Sequence, residues 1–142
     1  DAMKSILLLG LALASLAASS EARAVDVNLY SDNGKTFLGC FSCGKYESDS
    51  IWNKYGSYGS KYSTTSIWNK YGNYGGKYSN ESPWNRYASK PPRLSDKQGS
   101  FYGVFTINPY APNRAKLSLL DTLGKLVDVV LDNPEKIQEA YN

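Results

Sequence analysis

The chain contains no histidine among its 142 residues. That absence removes Ser-His-Asp triads, zincin motifs and histidine acid–base pairs. Cysteine is nearly absent too, with only Cys40 and Cys43, in the order C-F-S-C. A zinc site needs further Cys or His ligands, and a redox C-x-x-C needs a βαβ setting that no stretch offers. A structural disulfide is the expected state of this pair if the chain is exported, and the loop it closes is very small. No G-x-x-x-x-G-K-S/T and no G-x-G-x-x-G occurs, so neither phosphate-cradling loop is present. Acids are rare in the middle of the chain. Between Ile51 and Arg93, seven basic residues face one acid, Glu81. Glu47 and Asp49 return loosely as Asn80 and Glu81. Acids ahead of a helical turn explain that pattern better than a cation site. No catalytic residue, cofactor or metal is therefore nominated.

From residue 25 to the C-terminal quarter, aliphatic residues are also scarce. What replaces them is aromatic: twelve Tyr, three Trp and four Phe. Most of these rings belong to a tandem repeat. Ser50 to Tyr87 reads S-IWNKYGSYGSKYSTT, S-IWNKYGNYGGKYSNE, S-PWNRY, with a period of sixteen residues. Repeats of this kind bury their apolar faces against their neighbours. Ser50, Ser66 and Ser82 stand where helix N-caps stand, and Pro83 takes the first helical slot after one of them. Gly56 and Gly72 follow one turn later, as stop signals. The spacing predicts one capped helical turn per unit, a glycine turn, and a short Lys-Tyr-Ser extended arm.

Stacked units would align Trp52, Trp68 and Trp84 as a core row. They would align Asn53, Asn69 and Asn85 as a second row, with side-chain amides bonding along the stack. The tyrosines are too many for all to be buried in so small a domain, so core and surface both stay open for them. Tyr58, Tyr74, Tyr62 and Tyr78, with Lys61 and Lys77, form the candidate contact row, because flat rings stack on sugars or bases while lysines meet anions.

On either side of the array lie hairpin signals. Val25, Val27 and Leu29 alternate with polar residues, and Asn33-Gly34 marks a turn, so strands are expected at 25–31 and 35–41. Leu38 to Ser50 is a degenerate capping repeat. Arg93 to Ile107 reads as a second hairpin turning at Asp96–Gly99. Further on, Leu117, Leu120, Leu123, Leu126, Val127, Val130 and Leu131 follow helical periodicity. A strand over 126–131 is the alternative, and Gly124 weakens the helix. Asp121 and Lys125 are spaced for an i,i+4 pair. Asn133-Pro134 opens a last short helix. The apolar face of this tail is either a lid on the core or an oligomer contact.

At the start, Lys4, the apolar run to Ala18 and Ala22-Arg23-Ala24 have the form of a secretory signal peptide. Asp1 and Ala2 precede Met3, which reads as the natural start. Cleavage after Ala24 would leave a mature form without a membrane span.

The expected fold class is a mixed, β-rich repeat domain. A short solenoid-like array of sixteen-residue units is bracketed by two β-hairpins and followed by a C-terminal helix or helices. The domains are 1–24 (leader) and 25–142 (one small domain). The latter divides into 25–50 hairpin and capping repeat, 51–88 array, 89–108 hairpin and 115–142 helical tail.

Through S-I-W-N-K-Y-G-x-Y-G-x-K-Y-S, the chain resembles a group of small exported bacterial proteins and domains. In them such repeats follow an L-G-C-x-x-C segment, here Leu38 to Cys43. They precede S-P-W-N-x-Y-A, here Ser82 to Ala88, and F-Y-G-x-F-T-x-N, here Phe101 to Asn108. The resemblance covers about Leu38 to Arg114 and implies bacterial export and one repeat domain. It implies no activity and no site residues, and the tail after Lys116 departs from it.

The function expected from these features is non-enzymatic. An exported bacterial protein, periplasmic or extracellular, binds a cell-envelope polymer or polyanion, such as an anionic glycan, through the aromatic and basic face. The alternatives are a structural, adhesive or self-assembling surface protein, a homo-oligomer through the C-terminal apolar helix, and thirdly an uncharacterised hydrolase.

Overall fold

Residues 25–141 are described by the structure, a computed structural model. The leader expected over 1–24 lies outside the described residues. The first hairpin joins β1 (Asn28–Tyr30) to β2 (Phe37–Cys40). Gly34 supplies the positive φ of the turn, and its N–H donates to Ser31 O. The second joins β3 (Arg93–Ser95) to β4 (Phe101–Val104), with Gly99 turning in the same way. Both sets of strands are shorter than their sequence signals.

The two hairpins do not bracket the array separately. β1 pairs antiparallel with β3, Leu29 opposite Leu94, and one four-stranded sheet results, in the order β2-β1-β3-β4. The halves repeat each other. Gly39 faces Leu29 and Gly103 faces Leu94, both glycines have positive φ, and an irregular step follows each leucine. Beyond them, Cys40 bridges Ser50 in parallel as Val104 bridges Arg114. Leu29, Leu38 and Leu94 carry the buried face of the sheet.

The array itself contains neither helix nor strand between Ile51 and Pro92. The expected helical turn is one member of an unbroken string of tight turns. N–H groups of Asn53, Gly56, Gly59, Ser63 and Ser66 each donate to the carbonyl three residues back, at 3.0–3.3 Å, and that of Ser60 to Gly56 O. The second unit repeats the pattern through Ser82. Ser50 Oγ does accept the Trp52 N–H, as a cap would, at 3.0 Å. The same i to i+2 bond recurs at Asn53, Ser60, Ser63, Ser66 and Asn69, while glycine starts the turns at 56, 72 and 76, and no turn propagates into a helix. The Lys-Tyr-Ser arm is likewise a turn.

Trp52, Trp68 and Trp84 are buried. Each indole N–H donates to a backbone carbonyl of the preceding segment: Phe41 O, Ile51 O and Ile67 O. Their rings do not form an open column. Phe41 contacts Trp52, Trp52 contacts Trp68, Trp68 contacts Trp84, Trp84 contacts Phe105, and Phe105 returns to Phe41, with centroids 5.3–6.1 Å apart. Five rings close a circuit because the sheet carries the two ends of the array back together. The asparagine amides do not bond along this circuit. Each donates to the carbonyl six residues earlier: Glu47 O, Ser63 O and Ser79 O.

Three helices make the tail: α1 (Ser118–Lys125), α2 (Val127–Asp132) and α3 (Pro134–Tyr141). The predicted single helix breaks at Leu126, just after Gly124, and no strand forms over 126–131. Asp121 pairs with Arg114 at 2.9 Å instead of with Lys125. Leu120, Leu123, Val130 and Leu131 are buried in the core, so this face is a lid. The Tyr141 ring stacks on Trp52 at 3.7 Å. Gln138, 1 % exposed, donates to Ile51 O at 2.9 Å and to Gly59 O at 2.7 Å. Replacing Gln138 with leucine would remove the Gly59 O partner and is expected to cost about 2 kcal/mol in denaturant unfolding. An unchanged midpoint would show that this side chain does not fasten the tail.

Candidate functional site: a tyrosine face with a lysine–carboxylate ladder

Six tyrosines each follow a basic residue: Tyr46, Tyr55, Tyr62, Tyr71, Tyr78 and Tyr87. Their spacing alternates between nine and seven residues, which is why the pattern is hidden inside a period of sixteen. All six are 82–90 % exposed. That is unusual for a large ring in a domain whose core is aromatic. In five of them the preceding lysine folds over its own ring, Nζ lying 5.3–5.9 Å from the centroid. Asn53, Asn69 and Asn85 orient three of these tyrosines. Their Oδ1 atoms accept the N–H of Tyr55, Tyr71 and Tyr87 at 3.0–3.1 Å.

The sequence-nominated contact residues separate into two groups. Tyr62 and Tyr78 stand on the exposed face, and Lys61 and Lys77 lie beside them. Tyr58 and Tyr74 do not. Tyr58 is half-buried with its ring edge-on to Phe37 at 4.9 Å, and Tyr74 packs against the core. They sit in the glycine-rich half of the unit, which turns toward the sheet. Tyr46, Tyr55, Tyr71 and Tyr87 were not singled out, yet the recurring Lys-Tyr or Arg-Tyr dipeptide was a signal that could have found them.

The lysines of the array are met by the chain's own acids. Lys54 pairs with Glu139 at 2.6 Å, Lys61 with Glu135 at 3.3 Å, Lys70 with Asp132 at 2.9 Å and Lys77 with Asp128 at 2.8 Å. Arg86 ends the series by donating to Gly124 O at 2.7 Å. The tail therefore runs antiparallel to the array, and the basic segment expected to attract an external anion is largely balanced from within. Residues 128, 132, 135 and 139 fall on one helical face by spacing. That pattern was legible in the tail, although nothing in the sequence said which surface it would cover.

Two of the pockets between the tyrosines, of about 380 Å³ and 440 Å³, are related by the repeat, and a further one of about 430 Å³ lies between them against Ser60 and Glu135. The first is walled by Lys45, Tyr46, Lys54, Tyr55 and Glu139. The second is walled by Lys61, Tyr62, Lys70, Tyr71 and Asp132. Array residues shift by sixteen from one to the other and tail residues by seven. Trp52 and Trp68 lie behind them.

Cys40 and Cys43 form a disulfide, with Cα atoms 5.5 Å apart, where the array leaves the sheet. The Glu47 carboxylate accepts the Gly44 N–H at 2.7 Å and closes the adjoining loop.

The ladder shifts its own titrations. A hydrogen bond from Lys54 lowers the Glu139 carboxyl below its ordinary range, and the Tyr102 hydroxyl does the same for Asp96. Hydrogen bonds to the tail acids raise Lys54, Lys70 and Lys77. A lowered acid contributes stability that is present above its unfolded value and lost as pH falls through the folded one. A raised lysine contributes stability below its unfolded value, which is lost as pH rises through the folded one. Stability is thus expected to be level between about pH 5 and about pH 10 and to fall outside both limits. A urea midpoint measured against pH checks this. If Lys54→Met leaves the acid limb unchanged, the Glu139 rung does not contribute.

No family model, no curated protein and no solved structure matches the chain.

Proposed function

We propose that this is a non-enzymatic exported bacterial protein that binds a glycan of the cell envelope along its tyrosine face. The carrying observation is the six-fold recurrence of an exposed tyrosine beside a cation. Large rings held out in water contribute almost nothing to folding, and a row of them on one face marks an interaction surface. In this reading the sixteen-residue units act as a short repeat array, and the disulfide suits an oxidising compartment. Among the described residues no helix is long and apolar enough to cross a membrane.

The fold supports rigidity of the face rather than chemistry on it. The backbone N–H of Tyr55, Tyr62, Tyr71 and Tyr87 is bonded to the Asn or Ser two residues earlier, so little backbone entropy is lost there on binding. The test is sedimentation with insoluble envelope polysaccharide. The double variant Tyr55→Ala, Tyr71→Ala is expected to lose about tenfold or more in affinity. Both side chains are exposed, so unfolding stability should stay within about 0.5 kcal/mol of wild type. Undiminished binding by this variant would rule the face out.

A further inference from the structure

We infer that the two equivalent pockets are subsites for uncharged sugar rings and that the C-terminal helices complete both of them. This rests on the glycan-binding reading and specifies its ligand.

The chemistry of the pocket walls decides the class. In the first, Lys54 and Glu139 are paired at 2.6 Å; in the second, Lys70 and Asp132 are paired at 2.9 Å. All four side chains remain 37–63 % exposed, so they still reach a ligand. An ammonium only donates hydrogen bonds and a carboxylate only accepts them. A pair of neighbouring sugar hydroxyls does both, and can bond the two charges together without separating them. The carboxylate of an anionic sugar could use only the lysine, and its charge would lie against Glu139 or Asp132.

The rings fit the same ligand. Lys54 covers one face of Tyr55 at 5.3 Å and Lys70 covers one face of Tyr71 at 5.4 Å. Each tyrosine is still 86–88 % exposed, so the opposite face is open to the C–H groups of a sugar. The third repeat lacks a complete site. Seven residues before Asp132 the tail offers Lys125, and Arg86 is spent on Gly124 O. The repeat-related pair of pockets therefore has no third member.

Calorimetry with cello-, xylo-, manno- and chitohexaose against hexagalacturonate tests this. At least one neutral hexasaccharide should bind, with an affinity that changes less than about twofold between roughly 50 and 500 mM NaCl. Tyr55→Ala, Tyr71→Ala, Glu139→Gln and Asp132→Asn should each weaken it about five- to tenfold. Asp128→Asn breaks the rung to Lys77, outside both pockets, and should leave affinity unchanged. Three results overturn the inference. If hexagalacturonate binds better and salt releases it, the face takes polyanions; polymer binding stands and this inference fails. If neutral sugars bind but Glu139→Gln and Asp132→Asn have no effect, the tail is no part of the sites. If neither soluble oligosaccharides nor insoluble polysaccharide binds, the functional reading fails with it.

Discussion

Gly75→Ala is expected to unfold the domain or leave it barely folded. A Cβ at Gly75 would lie 2.7 Å from Ile67 O and closer still to Asn69 O. Both obstacles are backbone, and neither can retreat freely. Asn69 closes the turn that orients Tyr71, and Ile67 O accepts the Trp84 indole N–H. Gly59 repeats the situation one unit earlier against the backbone of Asn53. The strain is steric, since neither glycine has positive φ. Overpacking against rigid backbone should cost about 4 kcal/mol or more, close to the whole stability of a marginal domain at roughly 5–15 kcal/mol. Gly34→Ala is the internal control. Gly34 has φ +75 but open space around it, so only the left-handed conformation is penalised, by about 1 kcal/mol. If Gly75→Ala melts within a few degrees of Gly34→Ala, the array does not pass as tightly as described.

Trp68→Ala should be the most damaging truncation in the core. The side chain is fully buried between Trp52 and Trp84, at 5.8 Å and 5.3 Å. Its loss opens the five-ring circuit midway between Phe41 and Phe105, the two rings nearest the sheet in the chain. The expected cost is about 3–5 kcal/mol, or roughly 10–20 °C in melting temperature. The phenylalanine variants separate packing from hydrogen bonding. Trp68→Phe leaves Ile51 O still bonded to Gln138. Trp84→Phe leaves Ile67 O without a second donor among the described residues. Trp84→Phe is therefore expected to cost about 1 kcal/mol more than Trp68→Phe. Equal losses would show that the shared carbonyl is irrelevant.

The legible part of the site was its composition. Period, tryptophan row and Lys-Tyr recurrence are all local patterns. The inward turn of Tyr58 was legible only as an absence: Tyr58 follows Ser57 where Tyr55 follows Lys54, and nothing local names the surface that would cover Tyr58. What separates them is Phe37, on a strand about twenty residues away. The helical turn was misread for a similar reason. Serine caps and Pro83 are compatible with a helix and with a chain of side-chain-closed turns. Ser and Asn three residues apart, in the runs 50/53, 60/63/66/69 and 79/82/85, favour the latter.

By itself the sequence determined the elements whose signals are short-range. Both hairpin turns follow from Asn33-Gly34 and Gly99, the tail helices from their apolar periodicity, and the burial of three tryptophans from a repeat that keeps them in phase. Only the tertiary structure decided that the hairpins merge into one sheet and close the aromatic circuit. Only it decided that four tail acids lie on four array lysines. Turns and helices depend on neighbours in the chain, whereas these pairings join residues 51 to 85 positions apart. No local pattern specifies such a distance; it follows from which faces must be buried together.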